Sequence, residues 1–402
     1  MLRFCEVVSF YIIQNNIKNA FCTAFPFKLP LQNQKFMKKL FTIFALLLAG
    51  LVSISFQDKT VAFYIGTADK GANSSVSLCE LNMSTGQVTL IDTFNNCVGP
   101  GYVAISPNKK NLYAVGGDKI VAFAIGRDKK LTYLNSESSA GAGPCHVSVH
   151  PSGKAAYVSN YGGGSFSAYD LQPDGKVSAA VLKEQYSGTG PNEKRQDKAH
   201  AHFATASPDG KYVFVTDLGS DKIMNYVADS KGALKPNPAQ PFFSGKPGAG
   251  PRHLIIHPSG KSLFLLNELE ATLTSCTIDR NGVIKAINTY PTIPADYSGP
   301  TNTSSAIHLH PNGKFVYVSN RGHNSISAFK IGANGALEMV DQQTKSIAIP
   351  RDFNIDPSGK FMIVANQSTD NLVVYDVDAA TGKFSFRQES IGVKAPICVA
   401  FL

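Results

Sequence analysis

Tryptophan is absent from the 402 residues, and the aromatic bulk falls to 25 phenylalanines and 15 tyrosines. No Cys-x-x-Cys pair occurs, which removes the usual structural-zinc and dithiol signatures. Cys5 and Cys22 lie far upstream. The five cysteines that remain, Cys79, Cys97, Cys145, Cys276 and Cys398, are odd in number and widely spaced. They are no disulfide framework, and one or two bridges are the most they allow. Apolar runs are short as well. Leu40 to Val52 is uncharged, yet falls short of the ~20 residues a membrane helix needs. Runs of basic residues are also lacking. The net charge is +9, but residues 1–56 hold six basic residues against Glu6, so +4 is left for the remainder. That spread gives no case for nucleic acid.

The N-terminus reads as a leader. Met37-Lys38-Lys39 is a basic start, Leu40 to Val52 an apolar middle, and Ala49, Ser53 and Ser55 supply small residues for cleavage. A signal peptide over 37–56 is expected, with export to the periplasm or the exterior and no stable membrane span afterwards. Residues 1–36 precede that leader and are expected to be a start-site artefact or a disordered extension. The fold is then expected over 57–402.

What is present, repeatedly, is one turn. Ser106-Pro107-Asn108-Lys109 is followed by His150-Pro151-Ser152-Gly153-Lys154, Ser207-Pro208-Asp209-Gly210-Lys211, His257-Pro258-Ser259-Gly260-Lys261, His310-Pro311-Asn312-Gly313-Lys314 and Asp356-Pro357-Ser358-Gly359-Lys360. Each joins an apolar strand to a second one, such as Tyr157-Val158-Ser159-Asn160 or Tyr317-Val318-Ser319-Asn320. A polar loop and two further strands follow. Four strands in about 45–50 residues mark a propeller blade. Proline and glycine at these turns are structural, and the lysines are solvated.

Six full repeats leave two ends. Val61–Thr67 looks like a second strand without a first, and Ala395–Phe401 like a first strand with nothing after it. The expected assembly is an all-β, seven-bladed β-propeller in which the C-terminal strand completes the N-terminal blade, leaving no open edge.

Antiparallel pairing places the start of each first strand beside the end of its second. These positions ring one mouth of the channel, the default place for chemistry. First-strand starts offer His146, His200, His202, Arg252, His253, Arg351 and Asp352. Second-strand ends offer Asn160, Tyr161, Asp217, Asn267, Glu268, Asn320, Arg321 and Asn366. Alternation puts His200 and His202 on one strand face. Zinc would need a third ligand, Glu268 or His253, and the arginines would repel it. A histidine general base suits proton transfer near neutral pH, and a histidine satisfied by strand carbonyls is the plainer alternative. Arg252 and Arg321 with Glu268 are either a brace between blades or an anion site, because the arginines outnumber the carboxylates. His150, His257 and His310 precede turns on the opposite edge and read as structural. His308, inside a first strand, has no role the pattern assigns.

Gly190–Gln196 (GPNEKRQ), His200–His202 (HAH), Thr216–Ile223 (TDLGSDKI), Gly250–His253 (GPRH), Asn267–Glu270 (NELE) and Ser319–His323 (SNRGH) together resemble the bacterial 6-phosphogluconolactonase family of seven-bladed propellers. Its fungal relatives are carboxy-muconate cycloisomerases. The resemblance covers about residues 58–402. It implies a catalytic set of His202, Arg252, Glu268 and Arg321, with His200 the alternative histidine. His202 would activate water with help from Glu268, Arg252 would stabilise the oxyanion, and Arg321 would hold the substrate's anionic group. His200, Asp217, His253, Asn160, Tyr161 and Arg351 are the expected substrate contacts. No metal or cofactor is expected, and the chain is expected to act as a monomer on a small anionic lactone. The family's sugar-phosphate enzymes serve a cytoplasmic pathway, whereas this chain carries an export signal, so the substrate's phosphate stays open. Two alternatives remain: a cycloisomerase running the chemistry toward ring closure, and a non-enzymatic exported propeller that binds a ligand or a protein.

Overall fold

The computed structural model describes residues 59–71 and 74–402. The expected leader and the extension before it lie outside the described residues. The chain from Lys59 to Leu402 forms one compact unit.

Seven antiparallel sheets follow one another around a ring. The second strands are buried almost throughout, and Ala155–Asn160 and Phe361–Asn366 at every residue. Each is sandwiched between neighbouring blades, which explains why the sequence reads there as an unbroken apolar run. Outermost strands such as Val177–Gln185 alternate half-buried and exposed residues, because one face meets water. The core is therefore a set of layers between blades. In one of them Tyr317, Phe353, Tyr375 and Phe384 pack between the sixth and seventh sheets.

The first sheet has the order expected from the chain ends. Pro396–Phe401 pairs antiparallel with Thr60–Thr67, with Phe401 opposite Phe63 and Val399 opposite Ile65. The C-terminal strand takes the innermost place.

The repeated turns also hold the blades to one another. His150 Nε2 meets the carbonyl of Gly210 in the next blade at 2.8 Å, His257 that of Gly313 at 3.1 Å, and His310 that of Gly359 at 3.0 Å. In each ring Nδ1 faces a backbone N–H, of Ser152, Ser259 and Asn312 respectively, so Nε2 carries the proton and donates. Gly210 and Gly359 sit at φ +73° and +79° with these imidazoles closer than 3 Å to where a Cβ would stand. Glycine is required there both for the turn and for the latch.

One blade departs from four plain strands. The outer strand of the fourth sheet splits into Leu234–Pro236 and Phe242–Ser244, both paired with Lys222–Ala228. Pro236, Pro238 and Pro241 interrupt it, since proline donates nothing to the ladder. All five described cysteines are free thiols.

Candidate active site

The first strands of five blades carry the same irregularity near their start. Pairing jumps one residue between Pro144 and His146, Ala201 and Phe203, Pro251 and His253, Pro350 and Asp352, and Pro396 and Cys398. The residue left over in each is Cys145, His202, Arg252, Arg351 or Ile397. A bulge leaves its extra residue unpaired and re-aims its side chain. Cys145, Arg252 and Arg351 thereby line a cavity of about 170 Å³, together with Tyr102, His253 and Asp352.

Beside it lies a buried ion cluster. Glu268 is 2% exposed and meets three guanidinium groups. Arg195 Nη2 lies 2.7 Å and Arg321 Nη2 3.2 Å from Oε1, and Arg252 Nε lies 3.0 Å from Oε2. The Arg252 contact is an ion pair without an aligned N–H bond, because Nε has no hydrogen-bond partner. Arg252 instead donates through Nη1 to the Ser305 carbonyl at 2.6 Å and to His253 Nε2 at 3.1 Å. Arg321 also donates to the carbonyls of Thr303 and Ser304.

The charges follow from this packing. Burial alone would raise the Glu268 carboxyl, but Arg321, Arg252 and Arg195 outweigh it and hold it down at about 2. Burial and the like charge of Arg321 pull Arg252 down to about 9, so it stays a cation at neutral pH. Burial, then Arg252, pushes His146, His202 and His253 well below the usual imidazole range. All three are neutral, and they pack as one group: His253 lies 5.2 Å from His202 and 5.8 Å from His146, ring to ring.

Asp352 faces the cavity, with Oδ1 2.9 Å from His308 Nε2 and Oδ2 accepting the Val399 amide at 2.8 Å. Four guanidinium groups (Arg195, Arg252, Arg321 and Arg351) thus share this end of the channel with two carboxylates, Glu268 and Asp352, and positive charge is in excess.

Of the residues expected at the site, Arg252, His253 and Arg351 line the cavity. Glu268, Arg321 and His202 flank it through Arg252 and His253. His200 and Tyr161, whose rings stack at 4.4 Å with Tyr161 5.5 Å from His202, do not line the cavity. Asn160 and Asp217 do not reach it, and both are fully buried. Asn160 donates to the Ser139 carbonyl at 3.1 Å and to Ser167 Oγ, pinning the loop between blades. Asp217 accepts the amides of His200 and Gly219 and the Ser220 hydroxyl, closing a tight turn. The expectation that they touch substrate is corrected on that ground. Their polarity serves backbone groups that would otherwise be unpaired.

A zinc reading of His200 and His202 loses its third ligand, since Glu268 is held by arginines and His253 Nε2 accepts from Arg252. Arg195 was missed. It sits on the loop joining the third and fourth blades, braced by fully buried Gln196, which bonds the Leu218 carbonyl and the Asn192 amide. The signal was the Gly190–Gln196 motif, but a list of strand starts and ends passes over it.

Comparison with known proteins gives a consistent picture. The family described as "Lactonase, 7-bladed beta-propeller" matches residues 62–401. A 6-phosphogluconolactonase of Bacillus subtilis is 33% identical over 346 residues, covering 84% of this chain and 97% of its own length. One of Formosa agariphila is 34% identical, covering 80% of this chain and 93% of its own. Among solved structures, the Pseudomonas aeruginosa periplasmic gluconolactonase superposes with a TM-score of 0.79 at 26% identity, covering 86% of this chain and 99% of its own.

Proposed function

The chain belongs to the lactonase family of seven-bladed β-propellers, and from that membership we propose that it hydrolyses an anionic sugar lactone in the cavity at the channel mouth. The observation that carries this reading is Arg351. Its guanidinium lines the cavity and, among the described residues, makes no hydrogen bond or ion pair. Arg195, Arg252 and Arg321 are all engaged with Glu268. An unpaired planar fork beside a surplus of positive charge suits a carboxylate or phosphate. Arg351 therefore takes the anionic group that the sequence had given to Arg321.

The chemistry needs little more. His202 is a neutral imidazole whose Nδ1 has no partner. It takes a proton from water as the water oxygen bonds to the lactone carbonyl carbon. The carbonyl electrons move onto oxygen, where the Arg252 cation stabilises them. Collapse reforms the C=O bond and breaks the ring C–O bond. Glu268 has both oxygens held against guanidinium groups and none free for a water proton. Its part is to fix the guanidinium groups rather than to assist His202.

The activity belongs outside the cytoplasm, on the strength of the leader at 37–56 and the periplasmic relative. The closed ring, with no open edge between first and last strands, supports a monomer. The test is a screen of phosphorylated and unphosphorylated sugar lactones with the purified chain. Hydrolysis of anionic members is the expected result. Ring closure of a muconate-type diacid would assign the reverse direction, and inertness toward every lactone would favour a binding propeller.

A further inference from the structure

We propose that Asp352 and His308 form a proton-delivering pair, the general acid that protonates the leaving ring oxygen of the lactone. This rests on the lactonase reading above and adds to it the group that completes ring opening.

A lactone's ring oxygen departs as an alkoxide, a poor leaving group unless a proton arrives as the bond breaks. Around the cavity most groups are unsuited to give one. Glu268 is ionised, and guanidinium groups hold their protons. His253 Nε2 accepts from Arg252. Burial raises the Tyr102 phenol well above its usual range and the Cys145 thiol to about 12.

Asp352 is placed differently. It is the one carboxylate among the residues lining the cavity. Both its oxygens are fixed, one by His308 Nε2 at 2.9 Å and the other by the Val399 amide at 2.8 Å. Val399 belongs to the strand that closes the ring. His308 comes from the sixth blade, its ring set edge-on to Phe353 at 5.0 Å. Its side chain keeps 18% of its surface exposed, whereas Asp352 keeps 3%. His308 is not among the cavity-lining residues. Asp352 thus stands between substrate and a histidine that reaches water. The charged and titratable groups that share the cavity wall or its backing with Asp352 are Lys70, Arg351, Arg252, His253, Tyr102, Cys145 and Cys398, and His308 also faces His253.

The pair carries one exchangeable proton. As the ring C–O bond breaks, its electron pair stays on the leaving oxygen. That oxygen takes the proton from the Asp352 carboxyl, which draws its own from protonated His308. The pair ends as carboxylate and neutral imidazole. His308 is reprotonated from solvent, while His202 releases the proton taken from water.

The experiment compares the full chain with Asp352→Asn and His308→Gln on two lactones, one with a sugar alkoxide leaving group and one, dihydrocoumarin, with a phenolate. Asp352→Asn is expected to lower kcat/KM on the sugar lactone by about 10²–10⁴-fold. The phenolate, which leaves without a proton, should lose less than about tenfold. His308→Gln should remove the alkaline limb of the kcat/KM profile on the sugar lactone. Equal losses on both substrates, the signature of a merely structural role, would overturn the proposal, as would an unchanged rate. A wild-type chain inert toward all lactones would instead bring down the parent reading, and the pair's role with it.

Discussion

Arg252 and Glu268 stand sixteen positions apart in sequence and 3.0 Å apart in space, at the start of one strand and just past the end of its neighbour. The hairpin makes that contact obligatory. Two further arginines converge on the same carboxylate, one from the next blade and one from a loop on the other side. Glu268 is thus the one negative charge that makes three guanidinium groups tolerable near the channel.

Replacing Glu268 by Gln should therefore be costly. The variant keeps the shape of the side chain but leaves buried Arg252 and Arg321 uncompensated. Removing one partner of a buried pair costs about 3–5 kcal/mol. Urea unfolding should show a loss of that order, with lactonase activity abolished. A variant as stable as the parent would show that the cluster is hydrated and not a buried ion network.

Much of this was legible in the sequence. The turns Pro151-Ser152-Gly153 and Pro311-Asn312-Gly313 announce the repeat because only certain residues satisfy their backbone angles. Ring closure was legible because Ala395–Phe401 had no partner of its own. The inward turn of His202, Arg252 and Arg351 was not. It depends on a one-residue bulge, and simple alternation puts the wrong side chain in the channel when a residue is added. Asn160 and Asp217 misled for a different reason. A polar residue at a strand end looks the same whether it meets a substrate or a loop carbonyl. His308 had no visible partner until the fold brought Asp352 beside it, 44 positions later in the chain.

Stability should fall with acid well before the carboxylates titrate. His146, His202 and His253 are buried neutral, with folded pKa values below those of the unfolded chain. Below about pH 6.5 the unfolded state binds protons that the folded state refuses. The stability these groups contribute is therefore complete above that pH and lost as pH falls below it. The slope is up to about 1.4 kcal/mol per pH unit for each histidine. Glu268 adds a second loss between about pH 4.3, its unfolded value, and about 2. Urea titrations at pH 7.5, 6 and 5 check the first window, and a flat profile across them would contradict the buried neutral trio.

Ring closure predicts that deleting Pro396–Leu402 damages the whole molecule and not only its end. Ile397, Cys398 and Val399 are buried. Burying an aliphatic side chain of this kind contributes roughly 1.5–3 kcal/mol, and the deletion also bares the edge of Thr60–Thr67. The truncated chain should melt well below the parent and aggregate, as followed by circular dichroism and light scattering. An unchanged melting temperature would mean that the C-terminal strand does not close the ring.

The sharpest test of substrate charge lies in Arg351. It has no protein partner to lose, so Arg351→Ala should leave the melting temperature nearly unchanged. The cost should fall on binding instead. A hydrogen bond to a charged group is worth about 1.5–3 kcal/mol, and each 1.4 kcal/mol is tenfold. KM for an anionic sugar lactone should rise by about 10–100-fold with kcat little altered, because an anion remote from the carbonyl is held alike in the ground and transition states. A neutral lactone of the same ring size should be turned over as well by the variant as by the parent. Arg351→Lys should recover part of the loss, since the charge returns without the fork. If the anionic and neutral lactones suffer equally, the unpaired guanidinium serves some purpose other than holding the substrate's charge.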